Sequence, residues 1–438
     1  MRGGARLAAL LASAALAVPM LAGGPAAAET LAITNARIYS MGPAGEIASG
    51  VVVISGGRIT AVGASAPVPA GARILDARGG VVTPGLVASN TPLSTVEIAE
   101  GVAETNDNAT GSDRLSAAFD VKYAVNPDSV LIPIARLGGI TDAVVTPTLN
   151  ERRPRKDMIF AGQAAVIHLG RGSDIVEKTP AGMVLVMGED GARIAGGSRA
   201  AEFVLLRAML EDVRAYARNR ANYDLGHSRP YDLSREDLEA LIPVVEGREP
   251  LMVSVHRAAD IRQVLGLARE QKLRLILEGA EEGWRLAPEI AAAGVPVLLD
   301  AAADLPASFD MIGSTLENAA RLNAAGVVIG IENPPIYEGG RTPRIDAGRA
   351  VAHGLPFGAA LAAITINPAR IWGVADRIGS LEPGKDADVV VWSGDPLEPL
   401  SAPILILIKG VEQPLRSRDL DLRDRYLHPS DLPAAYRR

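Results

Sequence analysis

The chain of 438 residues contains no cysteine. That absence excludes disulfides, a lipid-modified cysteine anchor and thiolate metal ligands, leaving any metal to imidazole and carboxylate. Histidine is scarce as well: five residues, at positions 168, 227, 256, 353 and 428. Aromatic side chains make up 4% of the chain, so the core has to come from Val, Ile, Leu and Ala. Such a core suits parallel strands covered by helices on both faces. No Gly-x-Gly-x-x-Gly run follows a strand-like segment, so a dinucleotide fold has no motif behind it. Internal repeats and low-complexity blocks are missing too. Basic residues are outnumbered, giving a formal charge of −7, which disfavours nucleic acid and anionic membranes as partners.

One long apolar run is present, and it stands at the start. Arg2 and Arg6 precede Leu7 to Leu21, and Ala26-Ala27-Ala28 supplies a small-residue cleavage box before Glu29. The pattern predicts a secretory signal peptide over residues 1–28 and a periplasmic or secreted protein with no membrane attachment after cleavage. Loss of Arg2 and Arg6 would take the formal charge from −7 to −9, because residues 1–28 contain no acid.

Beyond the leader, short β-like runs separated by glycine turns fill residues 29–82, with Gly56-Gly57 between two of them. Similar runs return over 376–415, at Asp388 to Trp392 and Ile404 to Ile408. Between them, over 83–375, apolar strands alternate with helical periodicity. Strand-like runs end near Val145, Val255, Leu277, Leu299 and Ile331, and helical runs cover 200–218, 234–245, 259–271, 282–293 and 314–325. That number of βα units predicts an α/β fold: a (β/α)8 TIM-like barrel with a small composite β-sandwich domain formed by the N- and C-terminal segments. Residues 416–438 read as a charged surface tail, with an interface arm as the alternative.

Three segments carry a family resemblance. Val82-Thr83-Pro84-Gly85-Leu86 opens the barrel, and Val255-His256-Arg257-Ala258-Ala259-Asp260-Ile261 follows a central strand. The third and most specific runs from Ala363-Ile364-Thr365-Ile366-Asn367-Pro368-Ala369 through Gly379-Ser380-Leu381-Glu382-Pro383-Gly384-Lys385-Asp386-Ala387-Asp388. Over roughly residues 30–400 the chain resembles the amidohydrolase superfamily, and within it the periplasmic, imidazolonepropionase-like branch. The resemblance implies hydrolysis of non-peptide C–N bonds in cyclic amides, amides or dipeptide-like substrates. It also implies zinc or another divalent metal held by four histidines and an aspartate, which activates a water.

The ligand positions depart from that pattern. Where the resemblance expects Asp-x-His-x-His, the chain has Ala88, Asn90 and Pro92. The next ligand position falls on Ser254, with His256 matching a non-ligand histidine, and the one after it falls on Gly279. Glu332 stands nearest the expected aspartate. Asparagine is a poor zinc ligand and proline offers no side-chain donor. The expectation is therefore a degenerate metal site with no metal cofactor, in other words a pseudoenzyme. It would be a non-catalytic or weakly catalytic partner of a metal-bearing homologue, as a hetero-oligomer, or a homo-oligomer. Two rivals stay open: an active hydrolase with a relocated or metal-independent site, and a solute-binding protein.

His256, Glu278 and Glu332 are the candidate catalytic residues, with Asp300 beside them, because all follow predicted barrel strands. They could do acid/base chemistry or form a solvated rim. Asn90, Thr91 and Ser254 could hydrogen-bond a ligand or cap neighbouring backbone. His168 reads as facing solvent or a core hydrogen bond. Arg152-Arg153-Pro154-Arg155-Lys156 could meet an anionic partner segment or be a solvated loop.

Overall fold

The computed structural model describes residues 30–98, 106–112, 114–150, 158–332 and 342–427. The leader, the basic loop at 152–156, Asn333, His428 and the end of the tail lie outside the described residues.

The N-terminal segment forms β1 (Thr30–Tyr39), β2 (Glu46–Ser55), β3 (Arg58–Gly63), β4 (Arg73–Asp76) and β5 (Val81–Pro84). Gly56 and Gly57 turn β2 into β3 with φ of 59° and 78°. Two successive left-handed residues make the tight hairpin whose twist matches its strands, and glycine adopts them without strain. After Gly85 come β6 (Leu86–Thr91), β7 (Ala109–Thr110), β8 (Ile140–Val145), β9 (Thr148–Leu149), β10 (Phe160–His168) and β11 (Val176–Val186). Then follow β12 (Leu251–Val255), β13 (Leu275–Gly279), β14 (Val297–Asp300) and β15 (Ile329–Glu332), with helices between them. The chain closes with β16 (Val389–Trp392), β17 (Pro403–Ile408) and β18 (Val411–Glu412).

Strands β6, β8 and β10 to β15 close into an eight-stranded barrel. The neighbouring pairs are parallel except at β10, which is antiparallel to both β8 and β11. The repeating βα expectation misses this reversal. The link from His168 to Val176 carries no helix, and a crossover to a parallel neighbour needs a dozen or more residues. The reversal carries His168 to the opposite end of the barrel from the mouth, paired with Asp142 at the start of β8.

The terminal strands form one sheet in the order β18-β17-β16-β5-β1-β2-β3, with β4 on β1. Every residue of β16 is buried because its two faces meet different cores. Val389 and Val391 pack with Ile33, Ile54 and Leu405 of the sheet, while Val390 and Trp392 pack with the barrel core. Side chains alternate along a strand, so a run that is apolar at each position fits only between two apolar layers. Trp392 Nε1 donates to Thr83 Oγ1 at 2.9 Å, satisfying its one polar atom inside that junction.

Most helices start and stop close to their sequence signals. Ser234 caps Arg235–Val245 by accepting from the Asp237 N–H at 3.1 Å. The run expected over 282–293 divides into a 3-10 turn, Gly283–Leu286, and a helix, Ala287–Ala293. Pro288 explains the division, because proline fits the first helical turn and disrupts an interior. The tail contains a helix, Arg418–Leu427, with no buried residue. Among the described residues no helix is long and apolar enough to cross a membrane.

Candidate functional site

Strand register decides which side chains meet at the barrel mouth. Ser254 pairs with Glu278, Asp300 with Glu332, and Glu332 with Ser89, so the ends of β6, β12, β13, β14 and β15 stand at one level. Asn90 sits one residue after Ser89 in the left-handed region, with φ of 54°. Asparagine tolerates that conformation better than a bulky or branched residue would. Its Oδ1 accepts from Thr146 Oγ1 at 2.6 Å. Its Nδ2 donates to Glu332 Oε2 at 2.9 Å and to Glu278 Oε1 at 3.3 Å. One neutral amide thus bridges two carboxyl groups.

Glu332 is 5% exposed, and its carboxyl is pushed well above the usual range. Burial is the largest cause. The charge of Glu278 and a carboxyl–carboxyl hydrogen bond with it add to the rise, against a smaller opposing effect of the Asn90 amide. Asp300 is also raised, chiefly by burial, and its Oδ1 accepts from the Ala302 N–H at 2.7 Å.

His256 follows β12 but turns to a different partner, Glu281, with Nδ1 and Oε2 2.6 Å apart. Burial pushes the imidazole down, yet the hydrogen bond and charge of Glu281, helped by Glu278, carry it up to about 9. The result is an imidazolium–carboxylate pair. Gly279 leaves room for it. A Cβ at that position would lie 2.5 Å from His256 Nδ1, and its φ of 80° is one that side-chain-bearing residues avoid. The glycine at an expected ligand position is therefore a packing requirement of the site as it now stands.

The site residues named from sequence divide into three sets. Asn90, Glu278 and Glu332 come together. His256 faces Glu281, which sequence reasoning missed; the signal was the acidic run Glu278-Gly279-Ala280-Glu281-Glu282 at a strand end. Asn90, Pro92, Ser254 and Glu278 line a cavity of about 250 Å³, while Gly279, His256 and Glu332 are not among its lining residues. Thr91 Oγ1 accepts from the Leu93 N–H at 3.2 Å, a local backbone cap. His168 is buried far from the mouth, accepting from the Gly170 N–H at Nδ1 and facing the Asp174 carbonyl with Nε2, each at 3.0 Å. His227 and His353 are exposed.

These residues do not fit a zinc-like ion. Asn90, Pro92, Ser254 and Gly279 supply no imidazole, and the two carboxyls are engaged with an amide and with each other. Among the described residues no group of three or more histidines and acids stands where it could hold a metal. Beside the mouth, Arg199 bridges Asp260 and Asp310, and Arg257 pairs with Asp260 at 2.6 Å, tying the loops after β12 and β14 to the helix Arg199–Arg218.

A sequence profile for the amidohydrolase family matches residues 205–413. That match begins after β11, so the departures at Asn90 and Pro92 lie outside it. The chain is 25% identical over 385 residues to amidohydrolase tasK of Hapsidospora irregularis, covering 80% of this chain and 38% of that protein. It thus spans about two fifths of the relative's length. An amidohydrolase structure from Thermotoga maritima MSB8 is similar with a TM-score of 0.77 and 26% identity, over 88% of this chain and all of that one. A prolidase solved with N-methylphosphonate-L-proline shares the fold at 15% identity and a TM-score of 0.52, over 88% of this chain and 99% of that one. In its sequence and in its barrel, the chain belongs to the amidohydrolase superfamily.

Proposed function

We propose that this chain is an exported member of the superfamily, of the periplasmic imidazolonepropionase-like branch, whose metal centre has been replaced by a polar cluster held by the Asn90 amide. It acts as a non-catalytic or weakly catalytic partner of a metal-bearing homologue. The observation that carries the reading is the Asn90 amide, which donates to both Glu278 and Glu332 where the resemblance implies a metal clamp. Gly279 supports it: a ligand side chain there would collide with His256. The Arg2/Arg6 and Ala26-Ala27-Ala28 pattern supports export. The terminal sheet encloses a core of its own, which supports a sandwich-like wrap.

A second reading has one observation in its favour. Glu278 faces the cavity and is joined through the Asn90 amide to Glu332, whose carboxyl burial raises, so an acid/base pair lies within reach of a bound molecule.

Elemental analysis of the purified processed protein separates the readings together with turnover of an amide and a dipeptide. The partner reading expects far less than one equivalent of zinc, manganese or iron, no hydrolysis by the chain alone, and co-purification with a metal-bearing homologue. Asn90→His with Pro92→His should not restore hydrolysis, because Ser254 and Gly279 still offer no ligand. Stoichiometric metal at the mouth would overturn the reading. Metal-free hydrolysis abolished by Glu278→Gln or Glu332→Gln would favour the second.

A further inference from the structure

Charge does not balance around the mouth cavity. His256 is matched by Glu281, and Arg193 at the rim by Asp190 at 3.1 Å. Glu278 and Glu332 stand side by side, and the donor that reaches them both is the neutral Asn90 amide. The cavity therefore meets a carboxylate, Glu278, that has no cation of its own among the described residues. A second, independent feature points the same way. Asn108 lines the same cavity, is 5% exposed, and its Oδ1 has no hydrogen-bond partner. Buried acceptors of this kind are kept only where a donor arrives. Much of the remaining wall is apolar, with Pro92, Val184, Val186, Met252 and Leu149. At about 250 Å³ the space falls below the ~300 Å³ at which drug-sized pockets begin, so a small occupant fits.

We propose that the cavity binds a small organic ammonium, its N–H groups donating to Glu278 and to Asn108 Oδ1 and its hydrocarbon body lying against Val184, Val186 and Met252. An ammonium carries several donors and one positive charge, which answers both the unmatched carboxylate and the orphaned amide oxygen. A desolvated metal ion would need further ligands in place of the amide N–H groups that point at the carboxyls. The assignment rests on the reading that this locus holds no metal.

Calorimetric titration of the full processed protein, with its metal content measured first, tests this. The probes are n-butylammonium, n-butanol and n-butyrate at pH 7. The ammonium should bind with one site per chain, and the alcohol and the acid should not. Glu278→Gln should weaken it about tenfold to a hundredfold, the range for a hydrogen bond to a charged group, and Asn108→Leu by roughly tenfold. Val186→Phe, which fills the cavity without touching either polar group, should abolish binding and keeps the test open should Glu278→Gln fail to fold. Metal-free, folded protein that ignores butylammonium, or binds butanol as well, overturns the ammonium site. Stoichiometric metal in the starting protein overturns the reading beneath it instead.

Discussion

Glu177, where the barrel meets the terminal sheet, and Glu332, at the barrel mouth, are both largely buried glutamates with opposite surroundings. At the end that abuts the terminal sheet, Glu177 of β11 pairs with Lys409 and Arg377, and Arg377 also reaches Asp386 at 2.9 Å. These guanidinium and ammonium partners hold Glu177 below its ordinary value against the upward push of burial. At the mouth no arginine or lysine approaches Glu332 within hydrogen-bond distance among the described residues; the Asn90 amide takes that role, and burial sends its carboxyl up. The first arrangement joins barrel to sheet. The second leaves a carboxyl group, Glu278, facing a cavity with a neutral amide as its donor.

Removing a cation from the clamp should have the largest effect. Arg377→Met leaves Glu177 and Asp386 short of a partner and should cost about 2–3 kcal/mol in urea unfolding. That is below the ~3–5 kcal/mol for breaking a fully buried pair, because the guanidinium is 36% exposed. Ligand binding at the mouth should survive. A loss of binding as large as the loss of stability would erase the distinction between the two ends.

At the mouth, Gly279→Ala should cost about 2 kcal/mol, combining the left-handed backbone penalty with the collision against His256. Its sharper readout is the imidazole titration by NMR. The wild-type value near 9 should fall toward the unperturbed 6.5 as the ring is pushed from Glu281. An unmoved titration would show that Gly279 does not position His256.

pH separates Glu332 at the mouth from Glu177 in the clamp by sign. Glu332 has its folded pKa above its unfolded one, so its contribution is complete below about pH 4.5 and is lost as pH rises through the raised value. Glu177 is depressed, so its contribution is present above that range and is lost as pH falls. Asp388, raised to about 7 mainly by burial, adds a second loss on the alkaline side. Subtracting the stability profile of Glu332→Gln from that of wild type isolates the mouth. The difference should decline with rising pH above 4.5, and a flat difference would remove the raised Glu332 carboxyl from the account.

The smallest effect belongs to the rim. The side chains of Arg193 and Asp190 are 69% and 65% exposed, so Arg193→Ala should change stability by no more than about 0.5 kcal/mol. A larger loss would mean that Arg193 supports the cavity wall rather than pairing in solvent.

Much of this was legible in the chain itself. Absence of cysteine and scarcity of histidine already marked the departure from the four-histidine pattern that the resemblance implies. Runs such as Leu251–Val255 and Val389–Trp392 read as strands because they are apolar at nearly every position, and the helical periodicity over 234–245 marked the helix Arg235–Val245. Glu278 and Glu332 were findable because each ends an apolar run. Local pattern carries that information, since it is set by side-chain periodicity and turn chemistry. What became of the vacated ligand positions was decided in three dimensions. Strands β6, β13 and β15 come from segments 188 and 242 residues apart, and only their closure brings the Asn90 amide to two carboxyls. The reversal of β10, the turn of His256 toward Glu281 and the space that Gly279 leaves for that ring are likewise properties of packing, which no local spacing encodes.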